Sequence, residues 1–192
     1  MPSNSLNNWN DTRRIELDEM SDAHEKVGGS ARGRRYATRQ INHAYTMMLS
    51  SHFQGFCRDL HSESVDRIAR AIAEASIRSV VRAEFTFGRK LDRGNPNPGN
   101  IGSDFNRLGL QFWDLVRAQN RWNDRRKFYL ENLNDWRNAI AHQDFDPSKL
   151  GGTINLRLAT ITQWRSSCSG LAKSFDSVMK TYIQQLTGTA PW

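Results

Sequence analysis

The sequence predicts an all-α protein, a bundle of about five helices that ends in one long C-terminal helix. Apolar residues recur at spacings of three and four almost throughout, and outside the short stretch Thr153–Leu158 nothing alternates with a period of two over strand length. A length of 192 residues, 38% of them hydrophobic and six of them Trp, suits one compact domain with a real core. With 13 Gly and 5 Pro the chain is neither collagen-like nor mucin-like nor wholly disordered.

Residues 1–33 read as an N-terminal extension, partly helical or loose, followed by the bundle over 34–187 and a short tail over 188–192. The first bundle helix is expected from about Arg35 to Leu60, where Ile41, Tyr45, Met48, Leu49, Phe53, Phe56 and Leu60 form one stripe. Polar His61–Ser64 reads as a short break. Val65, Ile68 and Ile72 then lead a second helix toward Val80 and Val81. The segment Gly88–Asn100, GRKLDRGNPNPGN, holds three Gly, two Pro and three Asn and reads as a surface loop. Ile101, Phe105, Leu108, Phe112 and Leu115 define a third helix. Tyr129, Leu133, Trp136 and Ile140 define a fourth after the polar stretch Asn120–Lys127. The last helix is expected from about Thr160 to Leu186, because Ile161, Trp164, Cys168, Leu171, Phe175, Val178 and Tyr182 keep the rhythm without a miss. Thr160 and Gln163 have the spacing of a capping box at its start.

Charge narrows the function. Lys and Arg number 27 against 20 acids, a net charge of +7, and 21 of the 27 are Arg. The planar guanidinium matches phosphate oxygens and stacks on bases, so a polyanion such as RNA is the expected partner. A genome that favours Arg codons would give the same composition. No apolar run approaches the ~20 residues that span a bilayer, and the first residues lack a signal-peptide core, so a cytoplasmic location with no membrane partner is expected. Two cysteines, Cys57 and Cys168, are too few for a disulfide framework and read as reduced packing residues.

Several common sites are absent from the sequence. It holds no phosphate-binding Gly-rich loop, no dinucleotide fingerprint and no Cys-x-x-Cys, so no cofactor and no metal are expected. His24-Glu25 lacks the second His of a zinc-protease helix. His61-Ser62-Glu63 lacks the cysteine half of a zinc-deaminase signature, and Cys57 with His61 is two ligands at most. His52 and His61 lie on or beside an apolar stripe and read as core or boundary histidines. What remains is Asp135-Trp136-Arg137-Asn138-Ala139-Ile140-Ala141-His142-Gln143-Asp144 at the end of helix four. Spacing alone is weak in so Arg-rich a chain, but here Arg137 is followed by Asn138, then by small apolar residues, then by His142. Simple pairing of Arg137 and His142 with Asp135, Asp144 or helix-end carbonyls is the competing reading.

Arg-Asn-x-Ile-Ala-His at the end of the fourth helix of a small all-α bundle resembles the HEPN superfamily (higher eukaryotes and prokaryotes nucleotide-binding), whose catalytic members carry an Arg and a His with four to six residues between them. The resemblance extends over about residues 35–186 and implies a HEPN-like bundle acting as a metal-independent, homodimeric endoribonuclease. Such proteins serve as toxins, phage-defence effectors or RNA-processing enzymes, with an antitoxin or sensor protein as a further partner. It implies that His142 is the general acid or base, Arg137 the phosphate and transition-state ligand, and Asn138 a polar residue holding the site. In members silenced by a nucleotidyltransferase, a Tyr two residues after the His accepts the modification. Asp144 stands there in this chain.

That assignment suits the chemistry of attack by a ribose 2′-OH, which needs a base, an acid for the leaving 5′-oxygen and a cation on the developing phosphorane charge. One His cannot serve both ends at once, and the ideal-helix angle between Arg137 and His142 is roughly 140°. Fraying near Ala141 and a second copy of the motif across a two-fold axis are both expected. Arg121, Trp122, Arg125, Arg126 and Lys127 mix cations with an aromatic ring and are secondary RNA-binding candidates. They read equally well as a solvated helix entrance, and Arg32, Arg34, Arg35 and Arg39 read as a solvated face. Two alternatives to the ribonuclease stay open: a catalytically silent HEPN module that binds RNA, a nucleotide or a partner protein, and a purely structural helical adaptor.

Overall fold

The computed structural model describes residues 1–28 and 36–192, with Tyr36 and Ala37 described by backbone alone. Arg32, Arg34 and Arg35 of the N-terminal basic cluster lie outside the described residues, as does the boundary expected at 33/34. The described residues are helical and contain no strand, and Thr153–Leu158 is irregular up to the start of the last helix. The elements are α1 (Asn4–Asn8), a π-turn over Trp9–Arg13, α2 (Arg14–Gly28), α3 (Tyr36–Arg70), α4 (Ala75–Thr86), a 3₁₀ turn over Lys90–Asp92, α5 (Pro98–Asn106), α6 (Phe112–Gln119), α7 (Asn123–His142) and α8 (Leu158–Thr187). None of these helices is long and apolar enough to cross a membrane.

Two long helices, α3 and α8, form the spine. Phe53 and Phe56 from α3 and Phe175 from α8 meet Phe105 and Phe112 at the centre, with Phe105 and Phe112 stacked at 4.3 Å and Phe112 edge-on to Phe175 at 4.8 Å. All five rings are inaccessible to solvent. The predicted stripe of α8 is buried from Ile161 to Val178, leaving Tyr182 half-buried with its hydroxyl donating to the Leu108 carbonyl at 2.6 Å. The first 28 residues are helical from Asn4 onward, and Leu6, Trp9 and Leu17 are buried in the same core. Arg13 clamps this segment to α3 by donating to the His52 carbonyl and to Asp59, both at 2.6 Å. It lies so close over Gly55 that a β-carbon there would collide with the guanidinium.

Several boundaries differ from the sequence reading, and α5 opens at Pro98, inside the expected loop Gly88–Asn100, where the Asn97 side chain caps it by accepting from the Asn100 N–H at 2.7 Å. Helix α3 runs straight through His61–Ser64, because each of these side chains makes a hydrogen bond inside the fold, although His61 Nδ1 is left buried without a partner. His61 is fully buried with Nε2 donating to the Asp104 carbonyl at 3.1 Å, and the Ser64 hydroxyl donates to Leu60 one turn back at 2.7 Å. The break falls at Ala71–Glu74, where Arg78 caps the open end by donating to the Ile72 and Ala73 carbonyls. The expected third helix is two helices, divided at Gly109 by its left-handed φ of 92° and by a side-chain cap from Asn106 to the Phe112 N–H. The last helix starts at Leu158, so Thr160 sits inside its first turn, and the residue before it, Arg157, makes no side-chain cap.

Burial, with the Arg89 guanidinium second, pushes the His61 imidazole down to about 4. Above pH 6.5 both folded and unfolded states are neutral at this residue. As pH falls from about 6.5 to 4 only the unfolded chain gains the proton, so stability present at neutral pH is lost over that window, up to about 3 kcal/mol. Urea unfolding at pH 7 and pH 4.5 should show this loss in the wild type and a much smaller one in His61→Gln. Equal losses would remove His61 from the account. Cys57 and Cys168 are both fully buried free thiols, held above the ordinary thiol range by burial.

Candidate functional site

Helix α7 is positioned by its stripe. Leu130, Leu133, Trp136 and Ile140 are buried against the α3/α8 spine. Its first turn lies within the polar stretch Asn120–Lys127, where Asn123 is buried and its amide donates to the Val116 carbonyl at 2.6 Å. Fraying at Ala141 does not occur. The helix is continuous to His142 and stops at Gln143, which adopts φ 55° and ψ 30°. A left-handed residue other than Gly or Asn costs about 1–2 kcal/mol. Two bonds offset it: Asp144 N–H returns to the Ala139 carbonyl at 3.0 Å, the closure of a Schellman-type turn, and the Gln143 amide donates to Ile140 at 2.7 Å. The chain after His142 therefore leaves in one fixed direction. Phe145 lands on α3, stacked on the His43 ring at 5.4 Å with Arg39 over it at 5.8 Å, so Arg39 belongs to this contact and not to a solvated face.

Along one face of α7, Asp135, Asn138, Ala139 and His142 line a cavity of about 280 Å³. Asp144, Lys149 and Leu150 close its other side. His142 is exposed and makes no side-chain hydrogen bond or ion pair. Arg137 lies outside the lining, and its guanidinium reaches back only as far as Asn138, donating to Oδ1 at 3.3 Å. The same oxygen accepts from the Asn95 amide at 2.7 Å. Asn95 belongs to a loop tied down on three sides: Asn100 donates to its carbonyl, Asn134 of α7 donates to Pro96, and Gln54 of α3 donates to Leu91 and Gly94. A carboxamide fixed from outside the helix thus stands between the motif's two ends.

Neither Arg137 nor His142 pairs with Asp135, Asp144 or a helix-end carbonyl, the contacts that a purely structural role would use. Asp144 faces Lys149 instead, at 3.8 Å. Burial, and behind it the charge of Glu131, holds the Asp135 carboxyl above its ordinary range. The cavity is therefore mixed in charge, with its unspent cation, Arg137, on the flank. Among the described residues no three His, Cys, Asp or Glu side chains are placed to hold a metal ion.

The secondary cluster is dispersed. Arg126 is half-buried and packs on Gly170 of α8 while donating to Asn123, and Lys127 lies over the Trp113 ring at 5.1 Å. Arg121 over the Trp122 ring and Arg125 over Tyr129 remain exposed. From Arg125 to His142 the helix rises about 25 Å, so these groups occupy the end of α7 remote from the motif. Asn95 is the site residue that the sequence reading missed.

A family model described as RiboL-PSP-HEPN matches residues 11–181, most of the chain. Comparison with curated proteins and with solved structures gave no match.

Proposed function

The chain belongs to the RiboL-PSP-HEPN family, within the HEPN superfamily, and from that premise we propose that it is a metal-independent endoribonuclease acting as a homodimer in a toxin or phage-defence role. The family supports an RNase-like or nucleotide-binding function in general. The finer reading rests on one observation. His142 lines the cavity exposed and unbonded, and Arg137 stands on its flank with Asn138 as its one side-chain hydrogen-bond partner.

In the reaction a base takes the 2′-OH proton, the 2′-oxygen bonds to phosphorus, the bond from phosphorus to the 5′-oxygen breaks, and an acid returns a proton to that 5′-oxygen. His142 serves as one proton carrier and His142 of a second copy as the other, while Arg137 faces the charge that builds on the phosphorane. Asn138, held by Asn95, sets where the guanidinium lies. A silent module that binds RNA or a nucleotide would keep the bundle and need neither Arg137 nor His142.

End-group analysis separates the two. Incubation with RNA in excess EDTA should give products with 2′,3′-cyclic phosphate and 5′-hydroxyl ends at the rate seen without chelator, and DNA should stay intact. Activity lost in EDTA and restored by magnesium would overturn this mechanism. No cleavage under any condition would favour the silent module.

A further inference from the structure

Beside the His142 cavity lies a second one of about 290 Å³, and the two share Lys149 and Leu150 as a common wall. We propose that this second cavity is a nucleobase subsite, which seats the base of a nucleotide flanking the bond to be cut. The proposal rests on the ribonuclease reading above and adds which residues choose the base.

Four aromatic rings line the cavity: Phe128, Tyr129 and Trp136 from α7 and Trp164 from α8. Phe128 is 55% exposed, with its ring tilted against the neighbouring Tyr129 at 5.8 Å, an unusual placement for so large an apolar side chain next to a concave surface. Trp136 and Trp164 are only 4% and 3% exposed and form the floor, and neither indole N–H is spent on an acceptor within the described residues. Carboxamides supply the rest of the lining. Asn132 and Asn155 make no side-chain hydrogen bond, and Gln163 spends only its amide N–H, on the Tyr129 hydroxyl at 2.8 Å. Flat rings with unspent amide donors and acceptors are what an unstacked base needs, since the rings take its face and the amides read its edge.

The surroundings favour an RNA strand over a free small molecule. Lys149 stands on the wall between the cavities, where the backbone phosphate joining the two nucleotides would pass. Its loop is prebuilt: Asp146 accepts from Ser148 twice, Gly152 N–H donates to Pro147 at 2.8 Å, and Gly151 and Gly152 hold positive φ angles of 72° and 82°. At the far end Arg125 donates to the Tyr129 hydroxyl at 3.0 Å, with Arg121 and Trp122 beyond it. The exposed members of the dispersed cluster thus continue one line from His142 along α7 through the aromatic cavity.

Binding separates this from its competitors. Fluorescence anisotropy would compare RNA octamers of A, C, G and U on His142→Ala protein, which removes the proton carrier and keeps the cavity. One homopolymer should bind at least tenfold tighter than the weakest. Adding Phe128→Ala should weaken all four by about tenfold, the scale of one lost stacking contact. Adding Asn155→Ala with Gln163→Ala should compress the preference below threefold while keeping the circular dichroism signal, since both residues are exposed. Cleavage by the wild type, together with affinities and preference unmoved by these variants, overturns the subsite and leaves the ribonuclease standing. No binding and no cleavage of any RNA overturns both. A drop to the monomer mass in Phe128→Ala, with RNA affinity unchanged, makes this face a contact between copies of the chain and overturns the subsite too.

Discussion

His142→Ala is expected to lower the rate of RNA cleavage by about two to four orders of magnitude, and Arg137→Ala by about two to three, with no change of fold in either. The size of the first follows from general acid–base catalysis. The second follows from removing a fixed cation from a developing phosphorane, where a neutral methyl group leaves the charge to water. The selectivity follows from placement. His142 is exposed and unbonded, and Arg137 contributes a single 3.3 Å contact to Asn138, so truncation at either should shift stability by about 0.5 kcal/mol or less. Single-turnover cleavage of a labelled RNA, read beside the melting temperature, checks both halves. Wild-type rates in either variant would take that residue out of the mechanism. A rate that falls together with the melting temperature would mean that the residue supports the fold.

Mixing wild type with an equal amount of the His142→Ala variant is expected to leave about a quarter of the activity that the same total amount of wild type would show. Because α7 is continuous to His142, the two side chains leave the helix roughly 140° apart and only one of them lines the cavity. With fraying removed as a remedy, a single chain cannot turn both toward one phosphate. A two-fold partner can, by setting its Arg137 against the first chain's His142. Subunit exchange then makes half of the dimers mixed and a quarter wild type, and a mixed dimer, holding one of the two His142 side chains that the reaction uses, is silent. Light scattering should give about twice the 22.1 kDa chain mass for the wild type. Half of the wild-type activity in a fully exchanged mixture would locate the whole site within one chain.

Much of the fold was readable because helix burial repeats at a fixed period. The stripe of α8 came through buried from Ile161 to Val178, while the stripe over 101–115 held as far as Phe112 and slipped by one residue after it, where Val116 is buried and Leu115 is 41% exposed. What the period cannot carry is partnership between distant groups. His61 and Ser64 look like a break in sequence and sit in mid-helix because Asp104 and Leu60 accept hydrogen bonds from them. Asn95 has no local mark as the residue that holds Asn138, 43 positions away. Adjacency misled in the opposite sense at Arg125, Arg126 and Lys127. Neighbours on a helix point about 100° apart, so these three contact Tyr129, Gly170 and Trp113 in turn. The Arg and His of the motif were legible as a motif, while their separation into a lining residue and a flanking one needed the unbroken end of α7.

That unbroken helix also constrains how the chain can change length over evolutionary time. Arg125, Phe128, Asn138 and His142 are all mounted on one rigid screw between Asn123 and the turn at Gln143. One residue inserted or deleted within it would twist everything beyond by about 100° and shift it by about 1.5 Å, carrying the motif away from the remote end and the buried stripe out of the core. Seven residues come back within about 20° of register, at the expense of roughly 10 Å of added length. Single-residue indels should therefore collect in irregular segments that hold no site residue, such as 71–74, while α7 diverges by substitution at constant length.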